Sequence, residues 1–232
     1  MSINLIQATL AVGALGTAAT GLVDTTKVVS GGMSRAGFGY IKQLIARMVS
    51  QPGAAEPGTG LTPADIRETL LANWMNGIET GAQKAIAKSF VKLHLNPSTA
   101  AALAKETNVD AKTLVNVAQK LTAVDTQSSP PNSGLTPVEA DTFGRFDLAL
   151  SAMVDRAYER AGQFYRNSCK ALACIIAVGL AFAGNCALPQ SQQLPYWQLV
   201  IIGLIATPLA PVAKDIANAI QSASDAVGSV KG

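Results

Sequence analysis

Apolar positions are unevenly spread along this chain. From Ala171 to Ala213 run 43 residues without a charged side chain, broken only by the polar turn Pro189–Leu194. At 1.5 Å of rise per residue, Ala171–Leu188 covers about 27 Å and Leu194–Ala213 about 30 Å, each close to the thickness of a hydrocarbon core. The pattern predicts a transmembrane helical hairpin over residues 166–213, closed by Arg166 and Lys170 on one side and Lys214 on the other. Tyr196 and Trp197 stand where the second helix enters the bilayer, the depth that amphipathic rings prefer. Pro208 and Pro211 remove backbone donors and are expected to bend that helix, with the Thr207 hydroxyl returning to the freed carbonyls.

A third apolar stretch, Met1–Val23, is also uncharged but is built from Ala, Gly and Thr. Thr9, Gly13, Thr17 and Gly21 recur every four residues and form a small-residue stripe, a pattern that permits close approach of a partner helix in lipid. The stretch reads as a first span over 1–23; the alternative is a signal peptide, which the lack of a basic leading region disfavours. None of the 18 Lys and Arg precedes Asp24, 16 lie between Lys27 and Lys170, and Lys214 and Lys231 follow the hairpin. By the positive-inside rule the amino terminus and the hairpin turn lie outside, with residues 24–165 and the tail 214–232 in the cytoplasm.

The middle region changes period. Pro- and Gly-rich linkers occupy 51–60 and 126–134, and each precedes the same helix-entry signal: Thr62-Pro63 with Asp65, and Thr136-Pro137 with Glu139. In both, Thr caps the helix, Pro takes its first position and an acid its third. Either a remote duplication or two independent uses of one cap chemistry accounts for the repeat. Ile66, Leu70, Trp74 and Ile78 then form an apolar stripe, continued by Ile86, Phe90 and Leu93. Asn96-Pro97 breaks the pattern, and two shorter helices follow, one from Ser98 carrying Leu103, the other from Asp110 carrying Leu114, Val117 and Leu121. Lys84, Lys88 and Lys92 make a basic stripe that suits anionic lipid or an acidic partner, or else is a solvated face.

Beyond Pro137 no proline occurs until Pro189, so one long helix is expected to run from the cytoplasm into the second span. Asp155, Arg156, Glu159 and Arg160 give it a mixed ionic face, and Phe164, Tyr165 and Arg166 arrive at headgroup depth. The run Met153-Val154-Asp155-Arg156, then Phe164-Tyr165-Arg166, then an apolar hairpin ending near Leu204, resembles a family of uncharacterised bacterial integral membrane proteins. Ser34–Met48, a basic stretch leading into a helix, fits the same plan. The resemblance implies an amino-terminal span, a variable cytoplasmic region, a carboxy-terminal hairpin and a bacterial source. It implies no activity.

Composition agrees with a mixed chain. Charged residues make up 14% and mean hydropathy is +0.27, so the 232 residues combine strongly apolar segments with an ordinary polar portion. A net charge of +3 without a like-charged block gives no footprint for nucleic acid. Cys169, Cys174 and Cys186 read as small packing residues, and His94 is the sole histidine. Phosphate-loop, dinucleotide, zinc-protease, nucleophile-elbow and calcium-loop motifs are absent. The glycines of Ser30–Tyr40 read as an elbow rather than a nucleotide site. With no ionisable group inside a span, proton relay and charge-selective transport lack their usual carriers.

The sequence thus predicts an all-α, polytopic membrane protein of the bacterial inner membrane, with three transmembrane helices and a helical cytoplasmic domain. No catalytic, cofactor-binding or metal-binding residue, no cofactor and no small-molecule substrate is expected. The expected partners are membrane lipids and other membrane subunits or further copies of the chain, and the expected role is non-catalytic: structure, assembly or scaffolding in a larger membrane complex. The alternatives are a pore built by oligomerisation of the hairpin, lined by Asn185, Gln190, Gln192 and Gln193, and a soluble helical protein with the hairpin as its core.

Overall fold

A computed structural model describes residues 5–26, 35–49, 61–124 and 134–230. The linker 51–60 and all of 126–134 but Gly134 lie outside the described residues, as do the glycines Gly31 and Gly32. Eight α-helices make up the described chain: α1 (Leu5–Thr25), α2 (Phe38–Val49), α3 (Pro63–Met75), α4 (Thr80–Leu93), α5 (Ala100–Thr107), α6 (Ala111–Val124), α7 (Pro137–Cys186) and α8 (Tyr196–Val230). The chain divides into two units, one holding α2–α6 with α7 as far as Phe164, the other holding α1, the rest of α7 and α8.

The two predicted entry signals form as capping boxes. The Thr62 Oγ1 accepts from the Asp65 N–H at 3.2 Å, and the Asp65 carboxylate accepts from the Thr62 N–H at 2.9 Å. At α7, Glu139 N–H donates to Thr136 Oγ1 at 3.3 Å while Glu139 Oε2 accepts from the Thr136 N–H at 2.7 Å. Lys120 adds a 2.6 Å ion pair to the same carboxylate. Each pair satisfies helix-terminal donors that would otherwise lack partners. The Thr62 hydroxyl and N–H hold Asp65 below its ordinary pKa, and Lys120, then the Thr136 N–H, do the same for Glu139.

In the helical unit, α7 supplies the spine. Phe146, Leu150, Val154, Tyr158 and Ala161 are buried along one of its faces. Phe38, Ile41, Leu44, Ile45 and Met48 of α2 pack into the same core, with Ile66 and Leu70 of α3 and Leu103 and Leu114 of α5 and α6. Three details differ from the sequence reading. Ile78 lies in the turn after α3 and is 38% exposed, because the helix stops before Gly77 at φ +66. In α4 the buried face is Gln83, Ala87 and Val91, while Leu93 is exposed; the small Ala87 lets the helix sit close. And Gly37, in the turn that leads into α2, is also a packing point. Its φ is +91, and a Cβ there would lie 2.2 Å from the Ala161 carbonyl oxygen of α7.

In the apolar unit, α7 and α8 form the expected hairpin. Gly203 allows the contact, since a Cβ on it would fall 2.5 Å from Val178 Cα. α8 continues past Pro208, Pro211 and Lys214 to Val230, so the second apolar segment is the first half of a longer helix. Thr207 does not act as expected: its hydroxyl is buried without a hydrogen-bond partner. α1 lies along α8, with Gly13 against Ala213 and Gly16 against Ala206 and Ala210. The numbering falls along α8 as it rises along α1, so the two helices are antiparallel. The basic-residue distribution predicts a parallel pair. Small side chains tolerate either direction, so the stripe alone does not specify one.

Candidate functional site

The hairpin is the feature that composition isolates most sharply, and its geometry is built from small residues. On α8 the buried positions are Leu199, Gly203, Ala206, Ala210 and Ala213, alternating steps of four and three. Ala173 and Ala177 answer from α7, and Gly13, Gly16, Ala19 and Val23 from α1. Faces of this kind bring helix backbones close and gain dispersion contacts without needing a hydrophobic drive. The large apolar side chains turn outward. Ile175 is 68% exposed and Leu204 51%, with Ile201, Ile205 and Val212 nearly half exposed. Covering the open halves of these five would be worth about 5 kcal/mol at the usual value for aliphatic side chains. Two helices, α7 and α8, are long and apolar enough to cross a membrane. Only 17% of the most apolar stretch of α7 and 28% of that of α8 is buried within the chain, unlike the core helices of a soluble fold.

The turn is fastened by two side chains. Asn185, buried near the end of α7, accepts from the Leu194 N–H at 2.8 Å through Oδ1, and its Nδ2 donates to the Leu194 carbonyl at 3.4 Å. Gln193 Nε2 donates to the Leu188 carbonyl at 3.0 Å. Phe182 and Tyr196 stack across the hairpin mouth with centroids 5.9 Å apart. Two of the four residues considered for a pore lining, Asn185 and Gln193, are therefore engaged in closing the turn.

In the helical unit, the ionic residues of α7 separate by face. Lys84 Nζ lies 3.2 Å from Asp155 Oδ1 and 3.2 Å from Glu159 Oε1; Lys92 lies 2.6 Å from Asp147; Lys88 donates to the Ser151 hydroxyl at 3.4 Å. The lysine stripe of α4 thus meets a matching stripe on α7, every four residues and antiparallel. Burial, the largest influence on Lys84, lowers its pKa, but the two carboxylates together raise it above the ordinary lysine value. Beside this ladder, the Tyr158 ring lies tilted against Trp74 with centroids 6.3 Å apart, its hydroxyl donates to the Gln83 carbonyl at 3.4 Å, and burial pushes its phenol up to about 12.

Compared with known protein families, curated proteins and solved structures, the chain matches none.

Of the small-residue stripe, Gly13 is buried against α8, whereas Thr17 and Gly21 are exposed, and Thr17 donates to the Gly13 carbonyl at 3.0 Å within α1. Thr9 is half-buried. The face that touches α8 is rotated toward Gly16 and Ala19. In the juxtamembrane cluster, Asp155 faces α4, Arg156 faces α2, and Phe164 meets Tyr40 edge-on with centroids 6.0 Å apart. Tyr165 and Arg166 follow on α7. Tyr196 and Trp197 are 74% and 62% exposed at the start of α8, as interfacial rings would be. Cys169 and Cys174 are half-buried and Cys186 exposed, and all three are free thiols. Sequence reasoning missed α2 as a core helix, although Phe38, Ile41, Leu44, Ile45 and Met48 carry its three-four spacing. It also missed the small-residue face of α8, present in the sequence as Gly203, Ala206, Ala210 and Ala213.

Proposed function

We propose that this chain is a non-catalytic integral membrane subunit of the bacterial inner membrane. Its hairpin anchors the helical unit on the cytoplasmic side of a larger complex. One observation carries the reading: a 43-residue uncharged hairpin turns its large apolar side chains outward and packs through its small ones. Lipid or a partner's transmembrane helices would cover that outer surface.

The hairpin is the anchor in this proposal. A third span by α1, with the amino terminus outside, requires α1 to run parallel to α8. Docked as it is, α1 ends beside the hairpin turn, opposite the end at which α7 enters the apolar unit. A three-span state therefore requires α1 to leave α8 and insert in the reverse direction. The proposal is tested by carbonate extraction of native membranes, followed by purification in a mild detergent. Retention in the pellet and recovery with a stoichiometric membrane partner support it. Release by carbonate, or recovery of the chain alone, overturns it.

A further inference from the structure

The acidic half of the α7 ionic cluster, Asp155 and Glu159, is paired with Lys84 of α4, on a different face from its basic half. Arg156 and Arg160 sit one turn apart on the face of α7 turned toward α2, and among the described residues neither makes an ion pair. With Arg47 and Gln43 of α2 they line a cleft of about 250 Å3, floored by Met153 and Ala157. Among the described residues no carboxylate lines it. Glu106, which does not line the cleft, lies 4.0 Å from Arg47. A second cleft of about 380 Å3 shares Tyr40 and Gln43 and adds Arg35.

We propose that the cleft between α2 and α7 is a binding site for a phosphate group. The donor set suits that chemistry. Guanidinium groups offer paired N–H donors to two phosphate oxygens at once, and the Tyr40 hydroxyl and Gln43 amide add neutral donors at the rim. The fold fixes the geometry from both walls. Gly37 seats the start of α2 on the Ala161 backbone, and Ile41, Leu44 and Ile45 hold α2 in the core. The phosphate has two sources. One is an anionic lipid headgroup, whose phosphate oxygens a pair of guanidinium groups can bind. The cleft is equally open to a free phosphate. Neither source requires the hairpin itself to take part in binding.

The test uses the full chain in a neutral detergent and reads 31P line broadening with two probes: inorganic phosphate, and phosphatidylglycerol diluted into phosphatidylcholine micelles. Wild-type protein should broaden at least one of the two, and the R156Q/R160Q variant should bind it roughly tenfold more weakly for each guanidinium lost. The exposed R145Q variant, whose partner Asp141 lies elsewhere on α7, should bind as wild type does. Loss of both signals assigns the site to phosphate groups in general, and loss of the lipid signal alone assigns it to a headgroup. The R47Q variant removes a guanidinium from the other wall and should weaken binding by itself, which keeps the test decisive if the double replacement disturbs α7. Broadening unchanged in both variants, or absent from the wild type with both probes, overturns the proposal.

Discussion

The packing of α1 on α8 makes a prediction that separates two faces of one helix. A Cβ at Gly16 would lie 2.0 Å from the Ala206 carbonyl oxygen, well inside ordinary van der Waals distance, so a side chain there forces the helices roughly 1.5 Å apart. Gly21 has nothing within 4 Å of the same position. A radial gap of that size forfeits at least about a quarter to a half of the dispersion well for every atom pair it separates. Overpacking of this kind costs about 2 kcal/mol, and Gly16→Val should lower the Tm of the detergent-solubilised chain by about 4–8 °C. Gly21→Val should change stability by no more than about 0.5 kcal/mol, because it meets open space and a helix-compatible backbone. Thermal unfolding followed by circular dichroism, with both variants in the same detergent, checks the contrast. Equal losses, or a larger loss at Gly21, would refute the packing face and restore the four-residue stripe as the contact surface.

Direction along the same interface is read by cross-linking in a background of C169S/C174S/C186S: G13C/A213C should form a disulfide once the helices open by about 2 Å, and G13C/A206C should not, whereas the reverse outcome identifies a parallel α1. Asn185→Ala should cost about 1–2 kcal/mol by leaving the Leu194 N–H without its acceptor, seen as faster hydrogen exchange at Leu194 and cleavage within Pro189–Leu194. Glu139 titrates below its ordinary range in the folded chain, so its stabilisation is complete above the unfolded carboxylate pKa and is lost as pH falls through the folded one. The stability gap between wild type and E139Q should therefore close on acidification and stay constant at neutral pH. Gly37→Ala should destabilise the helical unit by about 2 kcal/mol or more, through both a positive φ and a Cβ driven onto Ala161, measured by chemical denaturation.

Where the sequence was legible, a local rule decided the outcome. Thr62, Pro63 and Asp65 specify a helix start within four residues, and Thr136, Pro137 and Glu139 repeat it, because a capping box is satisfied by its own neighbours. The hairpin was equally legible, since 43 residues without charge leave few structural choices. What escaped depended on pairing between distant helices. Nothing within α4 says that Lys84, Lys88 and Lys92 lie against Glu159, Asp155, Ser151 and Asp147, far along the chain. The stripe is visible, and its complement becomes visible only when α7 is laid beside it in reverse. The same holds for α8, whose Gly203, Ala206, Ala210 and Ala213 became an interface only with Val178, Gly13 and Gly16 opposite.

These pairings bear on where a partner would be recognised. In the apolar unit the close-packing faces of all three helices are already joined to one another: Gly13 and Gly16 to Ala213 and Ala206, and Gly203 to Val178. What remains outward is Ile175, Ile201, Leu204 and Ile205, large and apolar side chains that lipid tails satisfy as well as a protein does. In a bilayer such a surface would favour retention but discriminate little among neighbours. Discrimination needs directional groups, and those lie in the helical unit, where α7 divides its charges between an acidic face closed by α4 and an arginine face left open toward α2. Loss of phosphate binding in the proposed cleft should accordingly follow changes at Arg156 and Arg160 rather than substitutions of one aliphatic residue for another in the hairpin.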